Sequence, residues 1–213
     1  MPFIVVTGID GTGKTTVARS IANHLNATGH RSKVVWIKSL HTLASLIAAT
    51  LRISGRKDRF VNANGQLVDR FTPGKYRFLR KGWGAIEFVS ILPLVVLKVY
   101  LPILAGYTIV ADRYLVDTIV MISTNLDNTN FLNSFLGNTL LRLIPKGTRT
   151  IYLDADEATI LKRRPDIEYT RGEIQTQLVL YRKLATITGG CVINTSRFDL
   201  NSSMTEVLEE IKF

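Results

Sequence analysis

The sequence predicts an α/β protein with a five-stranded parallel sheet and helices on both faces. Three observations carry that prediction. Short β-branched runs alternate with helical patterns along the whole chain, the first run ends in a glycine-rich segment, and the third ends in an aspartate. Such alternation makes neighbouring strands parallel, joined by crossover helices that cover the sheet. Ligands on sheets of this kind bind at the carboxyl ends of the strands.

Phe3 to Thr7 reads as a buried strand ended by Gly8. Val17, Ile21 and Leu25 then recur every fourth residue before Gly29, the pattern of a helix with a glycine stop. Lys33 to Ile37 is a second strand, and Leu40, Leu43, Ile47 and Leu51 mark a helix behind it. Tyr107 to Ala111 is a third strand, ended by Asp112. Residues 125–138 hold five asparagines and read as a polar loop or a loosely capped helix. Thr150 to Leu153 is the fourth strand, with Asp154 and Glu157 as a capping pair for a helix that Pro165 stops near Arg164. Ile174, Leu178, Tyr181 and Ala185 line a later helix before Gly189-Gly190, and Cys191 to Asn194 is the fifth strand. Ser203 and Glu206 can cap a last helix carrying Val207, Leu208 and Ile211.

At 213 residues, 46% hydrophobic and 21% charged, the chain suits one domain over residues 1–213 with a core that needs no staples. Within it, 38–105 are expected to form acceptor-side helices and a basic patch, and 162–172 a lid. A lone cysteine permits no internal disulfide and favours a reducing compartment. With no basic leader before the first strand, a cytoplasmic location is expected. The stretch Ile86 to Leu104 is apolar but contains Glu87, Pro93, Lys98 and Pro102, so a buried or interface helix is expected rather than a membrane span.

Lysine and arginine number 27 against 17 acids, a formal charge of +10. Nine of these cations fall between Arg52 and Lys81, opposed only by Asp58 and Asp69. A patch of that kind suits an anionic ligand, or simply a solvated face. His24, His30 and His41 have no metal-ligand spacing, and Cys191 sits in an apolar run.

Gly8-Ile9-Asp10-Gly11-Thr12-Gly13-Lys14-Thr15 fits G-x-x-x-x-G-K-[ST] between a strand and a helix. Glycines let the backbone wrap a phosphate with its N–H groups inward, and the helix N-terminus adds positive charge. Lys14 reaches the β- and γ-phosphates, and the Thr15 hydroxyl is a ligand for Mg²⁺. Asp112 is the expected partner acid for the metal or for Lys14. Arg113 can grip a phosphate with two hydrogen bonds or form a structural pair with Asp112. Lys162-Arg163-Arg164 either complement the end of their helix or belong, with Arg171, to a lid over transferring phosphate. No Asn-Lys-x-Asp motif follows, which disfavours a GTPase switch.

Gly8–Thr16, Asp112-Arg113-Tyr114-Leu115-Val116-Asp117-Thr118, Tyr152–Arg164 and Tyr181–Ala185 together resemble the thymidylate kinase family of P-loop nucleoside monophosphate kinases. The resemblance implies a three-layer P-loop kinase fold. It implies ATP as donor with Mg²⁺, a nucleoside monophosphate as acceptor, and a homodimer. It places Gly8, Asp10, Gly11, Thr12, Gly13, Lys14, Thr15 and Thr16 on the nucleotide, with Asp10 at the acceptor's sugar hydroxyl. Arg113 would hold the acceptor phosphate, Arg163 would lie near the donor, and Lys14, Arg113, Arg163 and Arg164 would be catalytic, with Thr15 and Asp112 at the metal.

The chain departs from the family at three places. Lys38 stands where an arginine grips the acceptor phosphate, Ile91 falls where an arginine packs on thymine, and Met121 lies among the base-reading positions. Thymidylate or a related pyrimidine monophosphate is the expected acceptor, and neither nucleic acid nor a membrane is an expected partner. Two other readings stay open: a kinase for a non-nucleotide alcohol with Asp10, Asp112 or Asp117 as base, and an ATP-binding protein that uses the basic patch on nucleic acid.

Overall fold

The computed structural model describes residues 3–38, 42–55, 58–196 and 205–209. Five strands, β1 (Phe3–Thr7), β2 (Ser32–Trp36), β5 (Thr108–Asp112), β6 (Arg149–Asp154) and β7 (Cys191–Asn194), form one sheet in the order β2-β5-β1-β6-β7. All four pairings are parallel, and every residue of β1 is buried. The central place of β1 explains its unbroken apolar run, because helices cover both of its faces. β2 lies at an edge, so Val34 and Trp36 are exposed although the same β-branched pattern reads as interior.

Helix α1 (Lys14–Ala27) turns Val17, Ala18, Ile21 and Leu25 onto one face of the sheet, against Ile4, Val6, Val110 and Ile193. Val207, from the helical stretch 205–209, joins that layer. The opposite layer holds α2 (Thr42–Ile53), α3 (Arg77–Val95), α5 (Leu115–Asn125), α6 (Phe135–Arg142) and α8 (Arg171–Thr188), whose buried side chains meet Phe3, Val5, Ile109 and Tyr152. Helix α7 (Glu157–Arg163) follows β6.

Several local expectations change. In α2, Ala44 and Ala48 are buried while Leu43 and Leu46 are exposed, so the buried stripe is shifted from the leucine pattern. Asp156, not Asp154, caps α7: its Oδ1 accepts from Thr159 N at 2.7 Å. The asparagine-rich region contains a regular helix, α6, capped by Ser134 Oγ accepting from Gly137 N. The basic stretch is not only helical, since β3 (Asp58–Val61) and β4 (Leu67–Arg70) form an antiparallel hairpin there. Its loop carries Asn64-Gly65, with Gly65 at φ 80°. That is a strong hairpin signal between apolar runs.

The patch also carries its own counter-charges. Arg59 pairs with Asp69, Lys75 with Asp58 and Arg70 with Glu173. Ser39, Leu40, His41, Arg56, Lys57, Ser203 and Ile211 lie outside the described residues.

Helix α3 continues through a widened, π-helical turn at Val96–Tyr100 into α4 (Leu101–Leu104). Pro102 cannot donate to the carbonyl of Lys98, and the widened turn accommodates the lost bond. The combined helix, Arg77–Leu104, is long and apolar enough to cross a membrane. Val89, Val96, Leu97, Leu101 and Leu104 on it are exposed, so much of this stretch forms an apolar surface rather than core.

Candidate active site

The loop after β1 and the ends of β5 and β6 build one cleft. Gly8 (φ 140°) passes so close to β6 that a Cβ there would stand 2.3 Å from the Leu153 carbonyl oxygen. Gly11 and Gly13 also take positive φ, which only glycine adopts without strain. Thr12 Oγ1 donates to Ile9 O at 2.8 Å and fixes the turn. Lys14 then opens α1 and folds back, its Nζ donating to Ile9 O at 2.6 Å. Burial, reinforced by the nearby Arg113 cation, lowers the Lys14 ammonium to about 7 against the pull of Asp10, Asp117 and Asp112. Thr16 is exposed on the first turn of α1.

Register places Val6 of β1 beside Asp112 at the end of β5. Thr15 Oγ1 donates to Asp112 Oδ2 at 2.6 Å, while Asp112 Oδ1 is buried without a hydrogen-bond partner. A hydroxyl and a carboxylate with a free oxygen are a hard-oxygen donor set that suits Mg²⁺. Among the described residues no cluster of three His, Cys, Asp or Glu side chains competes for a metal.

Arg113 takes φ 72°, left-handed for a residue with a side chain, while its N–H still continues the sheet by donating to Val6 O. This bend turns its guanidinium between Asp10 and Asp117 rather than onto Asp112. Asp117 is fully buried and accepts from Thr7 Oγ1, Tyr114 N, Tyr181 Oη and Arg113 Nη1 at 2.8–3.2 Å. With every acceptor position engaged, it orients Arg113 and is not available as a base. Asp10 lies 3.9 Å from Lys14 Nζ and 3.7 Å from Lys38 Nζ, and bonds Arg113. Burial opposes its ionisation, but Arg113, Lys14, Lys38 and Arg164 outweigh burial and hold the carboxyl below its usual range.

The three arginines expected in a lid part ways. Arg163 Nη1 reaches Gly11 O at 3.4 Å and Thr195 Oγ1 at 3.2 Å, and Nη2 donates to Thr195 O at 2.8 Å, so it braces the phosphate loop against the end of β7. The stem of Arg164 lies over Gly11, and its guanidinium is forked onto Asp166. Arg171 pairs with Glu157 of α7, away from the cleft. Thr195 and Asp166 carried no motif and are found only through these contacts. Thr170 and Glu173, the capping box of α8, stood in the sequence as T-x-x-E.

Of the three positions that depart from the family, Lys38 lies in the cleft, with its Nζ 3.7 Å from Asp10 Oδ2. Ile91 is fully buried in the core, and Met121 Sδ accepts from Tyr169 Oη at 3.3 Å. The hairpin is bonded to the segment between α7 and α8: Asn62 Nδ2 donates to Ile167 O, Ala63 N to Tyr169 O and Asn64 Nδ2 to Pro165 O.

A phosphate-wrapping loop at the end of a central parallel strand, with an acid at the end of its neighbour, defines the P-loop kinase fold. The comparisons agree. A thymidylate kinase from Ehrlichia chaffeensis superposes with a TM-score of 0.63 at 16% identity, covering 99% of this chain and 98% of that one. The YorR protein of Bacillus subtilis, solved with phosphorylated GDP, gives 0.55 at 17% identity over 97% and 94%. A deoxyadenosine kinase from M. mycoides with bound dCTP gives 0.55 at 15% identity over 98% and 97%. No family model and no curated protein sequence matches the chain. At such identities the likeness is one of fold: a divergent chain with the three-layer architecture of thymidylate kinase.

Proposed function

We propose that the protein transfers the γ-phosphoryl group of ATP to a nucleoside monophosphate, with thymidylate or a related pyrimidine monophosphate as acceptor. The observation that carries this reading is the convergence of Lys14, Lys38 and Arg113 on Asp10 beside the phosphate loop. An acceptor phosphate is already an anion, so its attack needs alignment and charge neutralisation rather than a base. That requirement fits a cleft where Asp117 is fully engaged and cations hold Asp10 ionised. An alcohol acceptor would need a base, and the three carboxylates are poorly suited: Asp117 has its acceptor positions filled, Asp112 is bonded to Thr15 at the metal position, and the cations around Asp10 weaken it as a base.

In this reading, loop N–H groups from Gly8 to Thr16 wrap the triphosphate, and Lys14 bonds its β- and γ-oxygens. Thr15 and Asp112 would hold Mg²⁺, which would supply neutralisation of phosphate charge when bound. Arg113, aimed by Asp117, and Lys38 hold the acceptor phosphate, while Asp10 meets the acceptor's sugar. Arg163 holds the loop near the donor, and Arg164 exchanges Asp166 for the migrating group. The exposed apolar face of Trp36, Leu43, Val96, Leu97 and Leu101 suits a homodimer contact of a cytoplasmic enzyme.

The test is ADP release with Mg-ATP across a panel of nucleoside monophosphates including thymidylate. Release dependent on a pyrimidine monophosphate is expected. ATP consumption indifferent to every monophosphate would overturn the reading.

A further inference from the structure

A cavity of about 390 Å³ lies between the hairpin, the C-terminal end of α5 and the N-terminal end of α8. No residue assigned to phosphoryl transfer lines it. Its size is within the range of small-molecule pockets, roughly 300–1,000 Å³.

Its lining mixes two chemistries. Arg70 and Arg80 supply cations. Arg70 is held by Glu173 and the Glu168 carbonyl and stacks on Phe60 and Tyr169, with only its buried Nε lacking a partner, and Arg80 makes no ion pair among the described residues. The other lining groups accept or exchange hydrogen bonds: Thr72, Asn125, Asp127 and Glu173. Asn125 is 4% exposed, and its Oδ1 has no partner. Gly74 forms part of the wall, where a Cβ would stand 2.5 Å from Asn125 O.

A buried amide oxygen without a donor is costly to leave unmatched, so the cavity calls for a ligand that brings donors. Asp127 and Glu173 would repel a bare anion, whereas sugar hydroxyls can donate to them. Arg80, with no ion pair among the described residues, calls for an anionic group on the same molecule, and the charge of Arg70 beside it favours the same group. Phe60 adds an apolar face for ring C–H groups.

We propose that this cavity binds a sugar phosphate, with the phosphate on Arg80, in the field of Arg70, and the hydroxyls on Asn125, Asp127 and Glu173. The cavity is lined by none of the residues assigned to transfer, although its Arg70 stacks on Tyr169, whose hydroxyl bonds Met121.

Isothermal titration of the full chain with ribose 5-phosphate, glucose 6-phosphate, the two free sugars and inorganic phosphate tests it. At least one sugar phosphate is expected to bind about tenfold tighter than any of the other three ligands, and Arg80→Ala and Asn125→Ala are each expected to weaken it by about tenfold. Arg80 is exposed, so its removal leaves folding intact, and Arg80→Lys should recover part of the loss. Lys14→Ala should bind as the parent does. Absence of heat with both sugar phosphates, equal affinity for inorganic phosphate, or undiminished binding by Arg80→Ala would overturn the proposal. So would loss of binding in Lys14→Ala, which would move the ligand to the transfer cleft. None of these results bears on phosphoryl transfer, which is read with nucleotides.

Discussion

On the wall of the cleft formed by β1, β5 and α5, charged groups are buried in a network with matched partners. Asp117 alone takes four donors, and Arg113 is clamped between two carboxylates. Elsewhere the cleft offers less: Lys38 at the end of β2 brings a point charge, Ile91 of α3 is buried in the core, and Met121 of α5 carries only a thioether, bonded by Tyr169. The contrast separates two tasks that one enzyme must combine. Holding a phosphoryl group needs fixed positive charge, which the first wall supplies. Choosing a base needs hydrogen-bonding groups that a wrong base would leave unpaired, and Ile91 and Met121 supply few.

If the first wall carries the chemistry, its variants should fail hardest. Lys14→Ala is expected to lower phosphoryl transfer by about 10²–10³-fold or more, with an unchanged circular dichroism spectrum. Near-parental turnover would remove Lys14 from its role. Arg113→Ala leaves Asp117 and Asp10 without their shared cation, and breaking a buried pair costs about 3–5 kcal/mol. Its unfolding midpoint in urea should fall accordingly, and acceptor KM should rise more than the Kd for ATP. Equal losses for both substrates would contradict its place opposite the donor.

The rest of the cleft predicts weak discrimination. Pyrimidine monophosphates should differ in kcat/KM by no more than about 200-fold, the reach of an apolar pocket without base-pairing groups. A larger ratio would mean that a base-reading group lies elsewhere. The smallest expected effect is a proton count. Lys14 titrates near 7 when no triphosphate faces it, and an opposed anion raises that value. Nucleotide binding at pH 8–9 should therefore take up a proton, seen as a binding enthalpy that varies with the buffer's ionisation heat. Below pH 6 the ammonium is already formed and the dependence on this group should vanish.

Much of the first wall was legible because many of its residues sit close together in sequence. A glycine loop, a lysine and a threonine within Gly8–Thr15 make sense locally, and Asp112-Arg113 end a recognisable strand. The destination of Arg113 was not legible. Its φ of 72° and its two carboxylate partners depend on where β1 and α5 bring Asp10 and Asp117. The hairpin was announced by Asn64-Gly65, but nine cations in the region masked the strand pattern. The two arginines ahead of Pro165 look alike in sequence and differ in space, because Thr195 captures one and Asp166 the other.

The sequence by itself determined the alternation of strands and helices, the phosphate loop and the acid beside it. These follow from hydrophobic period and from glycine's freedom at positive φ, both of which act within a few residues. Only the tertiary structure decided which carboxylates hold Arg113, how the hairpin ties down residues 165–169 and where the cavity beside it lies. Each of those depends on groups distant along the chain, up to 110 residues apart for Thr7 and Asp117, and sequence spacing carries no record of which distant partners burial will bring together.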